Sequence, residues 1–426
     1  MKVTRKAELI NLNQVIDVCV DVHKDNLNFF FATNKKEYSD HCANRTNIIE
    51  KKLKQYLIIA QEHKYKNLRI LCEPTGQYQN KLLRSARRNG CLTCYVNAES
   101  VAKFRVVESN DSGKTDTKDP RVIQTLGKLN KTIKHRLLSE KYLMLRKMNV
   151  IYDDIDIAAT SLRCKLSKLL VELFCDYSFK KDFLYSNSGL ALVENYSCNP
   201  YRIIAGGFVS FSETMKKSVP RIRNTTLNRL WSDAKTSVLN QLPDGYMKVL
   251  EQHLSQLMLD YLQQIERKEE LVKQMIVVME SLREEDPKIP PPTPGVISAK
   301  NLARLLGETG PLDDFIHWRK LMRYAGLNIR ERQSGYYKGL NKISKKGRPL
   351  LRKILNHIAL PLVKRDGLYG SYYHKKKDVD KMIGNKAMVV VARHLLRKIH
   401  GWYKSGEEFN KQRFFNCESQ PLKKAA

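Results

Sequence analysis

Four carboxylate residues in the first third of the chain have the right types and spacing to bind metal ions: Asp21, Glu73, Asp116 and Asp119. Asp21 and Glu73 each end a short apolar run, while Asp116 and Asp119 form a D-x-x-D pair at the start of a predicted helix. Carboxylate oxygens that lack histidine or cysteine partners favour Mg²⁺ over Zn²⁺, with Mn²⁺ as a substitute. Two such ions can activate a nucleophile and stabilise the leaving oxygen of a phosphodiester. These residues therefore predict a two-ion Mg²⁺ site for phosphodiester transfer.

The first of these assignments has a competitor, Asp17. Residues 15–22 alternate between apolar and other side chains, so Asp17 and Asp21 share one face of a predicted strand. We prefer Asp21 because it lies at the end of the strand, next to His23.

A serine in the most basic part of the chain, Ser334, is a candidate for covalent chemistry. Gly335 follows it, which leaves a small, exposed hydroxyl that a DNA backbone can approach. The surrounding arginine and lysine residues would make its alkoxide easier to form. The alternative is that Ser334 only binds a phosphate.

The segment around Ser334 also predicts a polyanionic partner. The chain has 76 Lys and Arg against 44 Asp and Glu, a net charge of +32. Basic residues interleaved with tyrosines suit phosphate contacts and base stacking. The alternatives are an acidic protein, a membrane surface or a merely solvated face, although solvated faces usually mix both charge signs. The predicted nucleic-acid-binding residues are Arg323, Arg330, Arg332, Lys338, Lys342, Lys345, Lys346, Arg348 and Arg352.

Several other classes of protein have no support in the sequence. No apolar run approaches the ~20 residues that span a membrane, and the first residues lack the apolar core of a signal peptide. Nine cysteines in a chain of this length do not make a disulfide scaffold. A phosphate-binding loop ending at Lys114 would need glycine at position 108, which is Glu108. We therefore expect a protein of the cytoplasm, without a membrane partner and without nucleotide hydrolysis.

Strands and helices alternate in the first domain, which we place at residues 1–137. The hydrophobic pattern predicts strands at 15–22, 26–32, 69–73 and 91–96, and helices at 46–63 and 78–88. This order is typical of a mixed α/β sheet covered by helices. Functional side chains gather at the carboxyl ends of such strands, which is where Asp21 and Glu73 lie.

The rest of the chain is predicted to be all-α. We expect a helical, coiled-coil region at 138–287, with an irregular insertion at 177–245 that is rich in Gly, Ser, Asn and Pro. A proline-rich joint then leads to a small, basic helical domain at 288–417 and a tail at 418–426.

An apolar heptad seam runs from Leu250 to Leu282 in the helical region. Such a seam predicts either a helical hairpin within one chain or self-association through a coiled coil. We favour self-association, which would make the protein a homo-oligomer, either a dimer or a tetramer.

Several segments follow the motif order of one known family. They are Val-Asp-Val-His-Lys at 20–24, Cys-Glu-Pro-Thr-Gly at 72–76, Lys-Thr-Asp-Thr-Lys-Asp at 114–119, Tyr-Ala-Gly-Leu at 324–327, Gln-Ser-Gly at 333–335 and Ile-Ser-Lys-Lys-Gly-Arg-Pro-Leu-Leu-Arg at 343–352. In these segments the chain resembles insertion-sequence transposases of the DEDD type, the "one-ten" family, which includes RNA-guided bridge recombinases. The resemblance covers nearly the whole chain and is weakest at 138–245.

The resemblance implies an RNase H-like, RuvC-like nuclease domain, a coiled-coil middle and a helical transposase domain. It implies that the four carboxylates bind Mg²⁺ and that Ser334 attacks a DNA phosphate to form a phosphoserine, with Ser344 as a rival serine. It also implies donor and target double-stranded DNA, and a structured non-coding bridge RNA that pairs with both. The serine of one subunit would complete the nuclease site of another inside a tetramer.

These inferences favour a DNA transposase-recombinase, with two alternatives. A structure-selective RuvC-like endonuclease would use the same carboxylates to hydrolyse DNA junctions with water, without a covalent intermediate. A decayed transposase would bind nucleic acid without cutting it.

Overall fold

The computed structural model describes residues 14–109, 118–330, 333–334, 336–339 and 342–410. Asp116, Arg332 and the predicted tail at 418–426 lie outside the described residues. The chain divides into two compact units, of which the first ends at Leu137 and the second begins at Leu138.

The first unit is a mixed α/β sheet with helices on both faces. Its elements are β1 (Val15–Val22), β2 (Asn26–Ala32), β3 (Glu37–Ala43), α1 (Thr46–Glu62), β4 (Asn67–Cys72), α2 (Asn80–Arg88), β5 (Leu92–Val96), α3 (Ala98–Ser109), α4 (Lys118–Lys128) and β6 (Thr132–Lys134). The strand order is β3-β2-β1-β4-β5-β6. β1, β4 and β5 are parallel to one another, and the other neighbouring pairs are antiparallel. This arrangement confirms the predicted RNase H-like class of fold.

The alternating sequence of β1 gives the sheet two buried faces. Val18 belongs to an apolar cluster with Leu53 of α1 and Leu83 of α2. Cys19 points to the other face and belongs to a cluster with Val122 of α4. The two residues are adjacent in sequence, so the period of two in a strand assigns them to opposite helical layers.

The sequence pattern does not predict two strands, β3 and β6, and both lie at the edges of the sheet. β3 is mostly polar and exposed, and only Cys42 within it is buried. β6 has three residues, of which Ile133 is largely exposed. Their strand conformation comes from pairing with neighbouring strands rather than from an apolar face of their own.

Where the structure describes it, the second unit is helical apart from four two-residue strands. Its elements are α5 (Glu140–Leu173), α6 (Asn187–Tyr196), α7 (Pro200–Ala205), α8 (Gly207–Ser218), α9 (Asn224–Ser237), α10 (Asp244–Glu285), α11 (Ala299–Thr309), α12 (Trp318–Ala325), β7 (Ile329–Arg330), β8 (Gln333–Ser334), β9 (Tyr337–Lys338), β10 (Lys342–Ile343), α13 (Pro349–Leu362), α14 (Gly370–His374) and α15 (Gly384–Ser405). In the described parts of the chain, no helix is both long enough and apolar enough to cross a membrane. The cytoplasmic location stays a prediction.

The heptad seam of α10 packs within the chain. Leu254 shares an apolar cluster with Leu166 of α5, and Met275 shares another with Leu145 of the same helix. The early part of α5 thus meets the late part of α10, which makes the pair an antiparallel hairpin. These seam residues are buried without a partner chain, as the hairpin alternative expects. The predicted dimer or tetramer stays a prediction and would need another surface.

The expected irregular insertion at 177–245 is instead a small helical bundle, and the expectation is corrected here. Its helices pack around buried residues that include Phe211. Several of the Ser, Asn and Pro residues that suggested irregular structure lie at the N-termini of helices. Ser186 caps α6 and Asn199 caps α7, where each side chain accepts a hydrogen bond from a backbone amide, and Pro200 is the first residue of α7. Such residues satisfy or replace backbone donors at a helix N-terminus.

One apolar core continues across the proline-rich joint. Leu145 of α5 and Met275 of α10 lie in the same buried cluster as Leu305 of α11 and Ile358 of α13. The helical hairpin and the basic C-terminal part therefore pack together within the second unit. The functional boundary between 287 and 288 stays a prediction.

Candidate functional site

Asp21 and Glu73 come at the same edge of the sheet. The parallel register of β1 and β4 pairs Cys19 with Leu71. Asp21 is two residues after Cys19, and Glu73 is two residues after Leu71. Neighbouring strands of a sheet are about 4.8 Å apart. Side chains two residues apart in a strand point to one face, so Asp21 belongs to the face of Cys19, which α4 covers, while Glu73 directly follows the last residue of β4. The register thus places the backbones of the first two predicted residues at the same edge of the sheet.

The packing of the end of α4 bears on where Asp119, at the start of that helix, lies. A Cβ on Gly127 would lie 2.8 Å from Oδ2 of Asp17, so the end of α4 lies against the beginning of β1. Asp119 is eight residues before Gly127, about 12 Å along a helix. Asp21 is four residues after Asp17, about 13 Å along a strand. The two displacements are similar in length, so an α4 that runs antiparallel to β1 would carry Asp119 toward the level of Asp21.

Polar partners orient two of these carboxylates. Nε2 of His23 lies 3.1 Å from Oδ2 of Asp21. Arg105 of α3 donates from Nε and Nη2 to Oδ1 of Asp119, at 2.8 and 2.7 Å. The side chains of Asp21 and Asp119 are only 14% and 5% exposed. Both carboxylates are therefore fixed by contacts in a site with little access to water.

The chemistry of the donors fits a hard divalent cation. Asp21, Glu73 and Asp119 supply carboxylate oxygens, which Mg²⁺ prefers. Burial and the adjacent carboxylate of Glu73 raise the pKa of the Cys72 thiol to about 12, and Cys72 lies in the apolar cluster on the other face of the sheet. Within the part of the chain that the structure describes, no three His, Cys, Asp or Glu side chains form a metal-binding group. Asp116 lies outside that part, and the complete quartet stays a prediction.

A tight turn after β4 presents Glu73. Gly76 adopts a φ of 64°, a left-handed conformation that glycine adopts without strain. The side chain of Gln79 accepts a hydrogen bond from the Thr75 amide at 3.1 Å and donates to the Gly76 carbonyl at 3.1 Å. The Thr75 hydroxyl donates to the carbonyl of Glu73 at 3.3 Å. The segment Glu-Pro-Thr-Gly is therefore a braced turn that fixes the backbone of Glu73.

Asp17, the competitor of Asp21, has a structural partner. Arg69 donates from Nε and Nη2 to the two carboxylate oxygens of Asp17, each at 2.6 Å. Burial alone would lower the pKa of Arg69, but the hydrogen bonds and charge of Asp17 outweigh it and raise that pKa. This pair occupies both carboxylate oxygens of Asp17, which favours Asp21 as the metal-binding residue of the strand.

The segment between α12 and α13 contains Ser334 and forms antiparallel strand pairs, and we call it the serine excursion. β7 pairs with β10 at its base, with Ile329 opposite Ile343, and β8 pairs with β9 beyond it, with Ser334 opposite Tyr337. Tyr336 between these strands is fully exposed. Ser334 thus belongs to the outer pair of strands, and its role stays a prediction.

Ser344, the rival serine, is part of the base of this excursion. Its side chain is largely buried, and its hydroxyl donates to Oδ1 of Asn328 at 2.6 Å. Oγ of Ser344 also accepts a hydrogen bond from the amide of Lys346 at 3.3 Å. These contacts give Ser344 a structural task, which favours Ser334 as the reactive candidate.

The predicted nucleic-acid-binding residues fall into two groups by their surroundings. The exposed ones that the structure describes are Arg323, Arg330, Lys342, Lys345 and Lys346. Arg348 instead donates from Nε to the fully buried Glu308 at 2.6 Å, and Arg352 donates to the carbonyl of Ala325 at 3.0 Å. The side chain of Lys338 and all of Arg332 lie outside the described part. Phosphate binding fits the exposed group better than Arg348 and Arg352, which support the fold.

Replacing Gly347 by alanine is expected to destabilise the base of the serine excursion by about 3 kcal/mol. A Cβ at Gly347 would clash with both the amide nitrogen of Gly326 and the carbonyl oxygen of Tyr324. Both are backbone atoms, so the chain itself would have to move. The free energy of unfolding in urea measures the effect. Gly401→Ala is the control: nothing lies within 4 Å of its Cβ, and alanine should stabilise α15 by up to about 1 kcal/mol. Equal stabilities of the two variants would contradict the prediction.

Two arginines near the carboxylates, Arg69 and Arg105, are not identified from the sequence. Arg69 could have been found, because Asp17 and Arg69 each stand four residues before the carboxylate that ends their strand. In parallel strands of matched register, that equal offset brings them side by side. Arg105 has no comparable signal, because its pairing with Asp119 depends on how α3 packs against α4.

Two family models match separate parts of the chain. A model of DEDD transposases of IS110 elements matches residues 18–175, which include all four predicted metal ligands. A second model, described as transposase IS116/IS110/IS902 family, matches residues 293–374, which include Ser334. A comparison with curated proteins gave no match. Both matching models describe transposases.

Proposed function

We propose that this chain, which belongs to the DEDD transposases of the IS110 family, cuts and rejoins DNA through a serine-linked intermediate. Membership of the family makes it a DNA-processing enzyme with a transposase or recombinase role. The main support for the finer proposal is that the register of β1 and β4 brings Asp21 and Glu73 to the same edge of the sheet, and that α4, the helix of Asp119, covers one face of that sheet. Carboxylates that hold divalent ions together suit phosphodiester chemistry.

Asp21, Glu73, Asp116 and Asp119 would hold a divalent metal, which we propose to be two Mg²⁺ ions with Mn²⁺ as a substitute. When bound, such ions would withdraw charge from the scissile phosphate and from its leaving oxygen. The protein's own contribution is to fix the ligands. His23 and Arg105 orient two of the carboxylates, and the turn held by Gln79 orients the backbone of Glu73.

Ser334 is the proposed nucleophile. Its Oγ would form a bond to phosphorus while the bond from phosphorus to one DNA oxygen breaks. The proton lost by the serine hydroxyl is balanced by the proton that the leaving DNA oxygen gains. In the second step a DNA hydroxyl attacks the phosphoserine, and the serine leaves as a free hydroxyl. Each step exchanges one phosphoester for another, so no nucleotide is consumed.

The proposed partners are double-stranded donor and target DNA and a structured non-coding RNA. DNA as substrate follows from the family. The exposed basic group near Ser334 suits backbone phosphates, and phosphate contacts carry no sequence information by themselves. Base pairing with a guide RNA would supply that information. A dimer or tetramer would allow the serine of one subunit to complete the carboxylate site of another.

A covalent-adduct assay tests the proposal. The protein is purified with RNA expressed from the element's own flanking non-coding DNA, mixed with Mg²⁺ and end-labelled element junctions, and denatured. We expect label attached to the wild-type protein and to Ser344→Ala, but none attached to Ser334→Ala. Peptide mass spectrometry should locate the phosphodiester at Ser334, and omitting the RNA should prevent adduct formation.

Two results of this assay would contradict the serine mechanism. DNA cut equally by wild type and Ser334→Ala, without an adduct, would indicate the hydrolytic endonuclease. An adduct that persists in Ser334→Ala and disappears in a folded Ser344→Ala would move the nucleophile to the rival serine.

A further inference from the structure

A basic cavity lies on the α1 and α2 side of the first unit, on the face of the sheet opposite to α4. We call this cavity the α2 cleft. It has a volume of about 470 Å³ and is lined by Thr46, Lys81, Arg84, Arg87 and Arg88. Lys81, Arg84 and Arg88 follow a spacing of three and four residues, which aligns them on one side of a helix. The α2 cleft is therefore a continuous basic strip about 10 Å long.

The positive charge of the α2 cleft is largely uncompensated. Arg88 pairs with Glu50 at 2.6 Å, whereas Lys81 donates to the carbonyl of Asn44 at 2.9 Å. Arg87 donates to Nδ1 of His135 at 2.8 Å, and burial together with Arg87 lowers the pKa of that histidine to about 4. His135 is thus a neutral acceptor. Arg84 has no ion-pair partner among the described residues.

The α2 cleft begins beside the edge of the sheet that carries the carboxylates. The side-chain amide of Asn44 donates to the carbonyl of His23, two residues after Asp21, at 3.0 Å. It also donates to the carbonyl of Tyr78, close to the start of α2, at 3.1 Å. The backbone of Asn44 in turn accepts from Lys81. A short chain of hydrogen bonds therefore joins the end of β1 to the first cation of the α2 cleft.

We propose that the α2 cleft binds the phosphate backbone of the DNA strand that leads away from the cut phosphate. Phosphates of one DNA strand are about 3.4 Å apart along the helix axis, so a strip of about 10 Å faces about three of them. The inference rests on the proposed function, because the cutting of DNA at the adjacent edge is what makes DNA the occupant. The first turn of α1 starts at Thr46 and adds the partial positive charge of a helix N-terminus to the same cavity.

The test compares Arg84→Gln with Lys54→Gln in the full-length protein. Lys54 is an exposed lysine of α1 outside the α2 cleft, so both changes remove one positive charge from the same helical layer. Binding of an element-end DNA duplex is measured between 50 and 200 mM salt in EDTA. We expect Arg84→Gln to raise Kd about eightfold at 0.1 M salt and to reduce the slope of log K against log salt by about 0.9. Lys54→Gln should match the wild type. In Arg84→Gln, ethylation interference should weaken only at the phosphates beside the cut site.

Two outcomes would overturn the proposal: equal affinities of the two variants for DNA, or a loss of affinity confined to an RNA duplex of the same sequence. The measurement needs no metal and no cutting, so it is independent of the covalent-adduct assay. A failed adduct assay would remove the serine chemistry and still leave DNA binding at the α2 cleft measurable.

Discussion

Asp21→Asn is expected to lower metal-dependent DNA cleavage by about 1000-fold while leaving DNA binding and folding nearly unchanged. Asparagine keeps the size of the side chain and an oxygen that can accept from His23, which lies 3.1 Å from Oδ2 of Asp21. It removes the negative charge that a divalent cation needs. The variant thus separates the charge of this residue from its packing.

The measurement is single-turnover cleavage of labelled element junctions over a range of Mg²⁺ concentrations. Asp25→Asn is the control, because Asp25 is an exposed carboxylate in the adjoining turn, and this variant should cleave at the wild-type rate. Asp116→Asn should behave like Asp21→Asn if the quartet is complete. Wild-type cleavage by Asp21→Asn would remove this residue from the metal site.

Arg69→Ala is expected to destabilise the first unit by about 3–5 kcal/mol. Arg69 and Asp17 form a bidentate pair whose side chains are only 9% and 15% exposed. Removing the arginine leaves a carboxylate in the sheet without its counter-charge, and the lost interactions are not replaced by water. Arg69 also lies 3.4 Å from the carbonyl of Gly127, so α4 would lose a contact as well.

Urea unfolding of the full chain, followed by a probe in the first unit, measures this loss. Lys103→Ala is the control, because its pair with Glu99 is exposed on α3, with side chains 75% and 44% exposed, and such pairs contribute little. An apolar replacement of both partners, Asp17→Leu with Arg69→Met, should recover much of the stability. A cost below about 1 kcal/mol for Arg69→Ala would show that the pair does not hold the sheet and α4 together.

The two aspartates of β1 make these predictions a matched pair. Asp17 and Asp21 share a strand and a face, yet Asp21→Asn should affect catalysis and Asp17→Asn should affect stability. Activity per folded molecule distinguishes the two effects. If Asp17→Asn lost cleavage while keeping its stability, the assignment of the two residues would be reversed.

The sequence by itself determined the class of the first domain and the identity of its candidate ligands. Alternation along β1 predicts a strand with two faces, and the end of each apolar run indicates where Asp21 and Glu73 stand. The fold class is confirmed because it depends on residues close together in the chain, and the assignment of the ligands stays a prediction. The excess of basic residues near Ser334 is equally local, and it predicts a polyanionic partner without any knowledge of the fold.

Only the tertiary structure decided questions that depend on distant contacts. The seam of α10 fits a hairpin and a coiled-coil dimer equally well from its periodicity, and burial against α5 favours the hairpin for the described residues. Asp17 and Asp21 are equivalent by pattern, and the position of Arg69 on the neighbouring strand distinguishes them. Ser344 and Ser334 are both serines in a basic segment, and the contact with Asn328 gives one of them a structural role. Periodicity records which side of an element is apolar, whereas the partner of a polar side chain depends on which elements pack beside it.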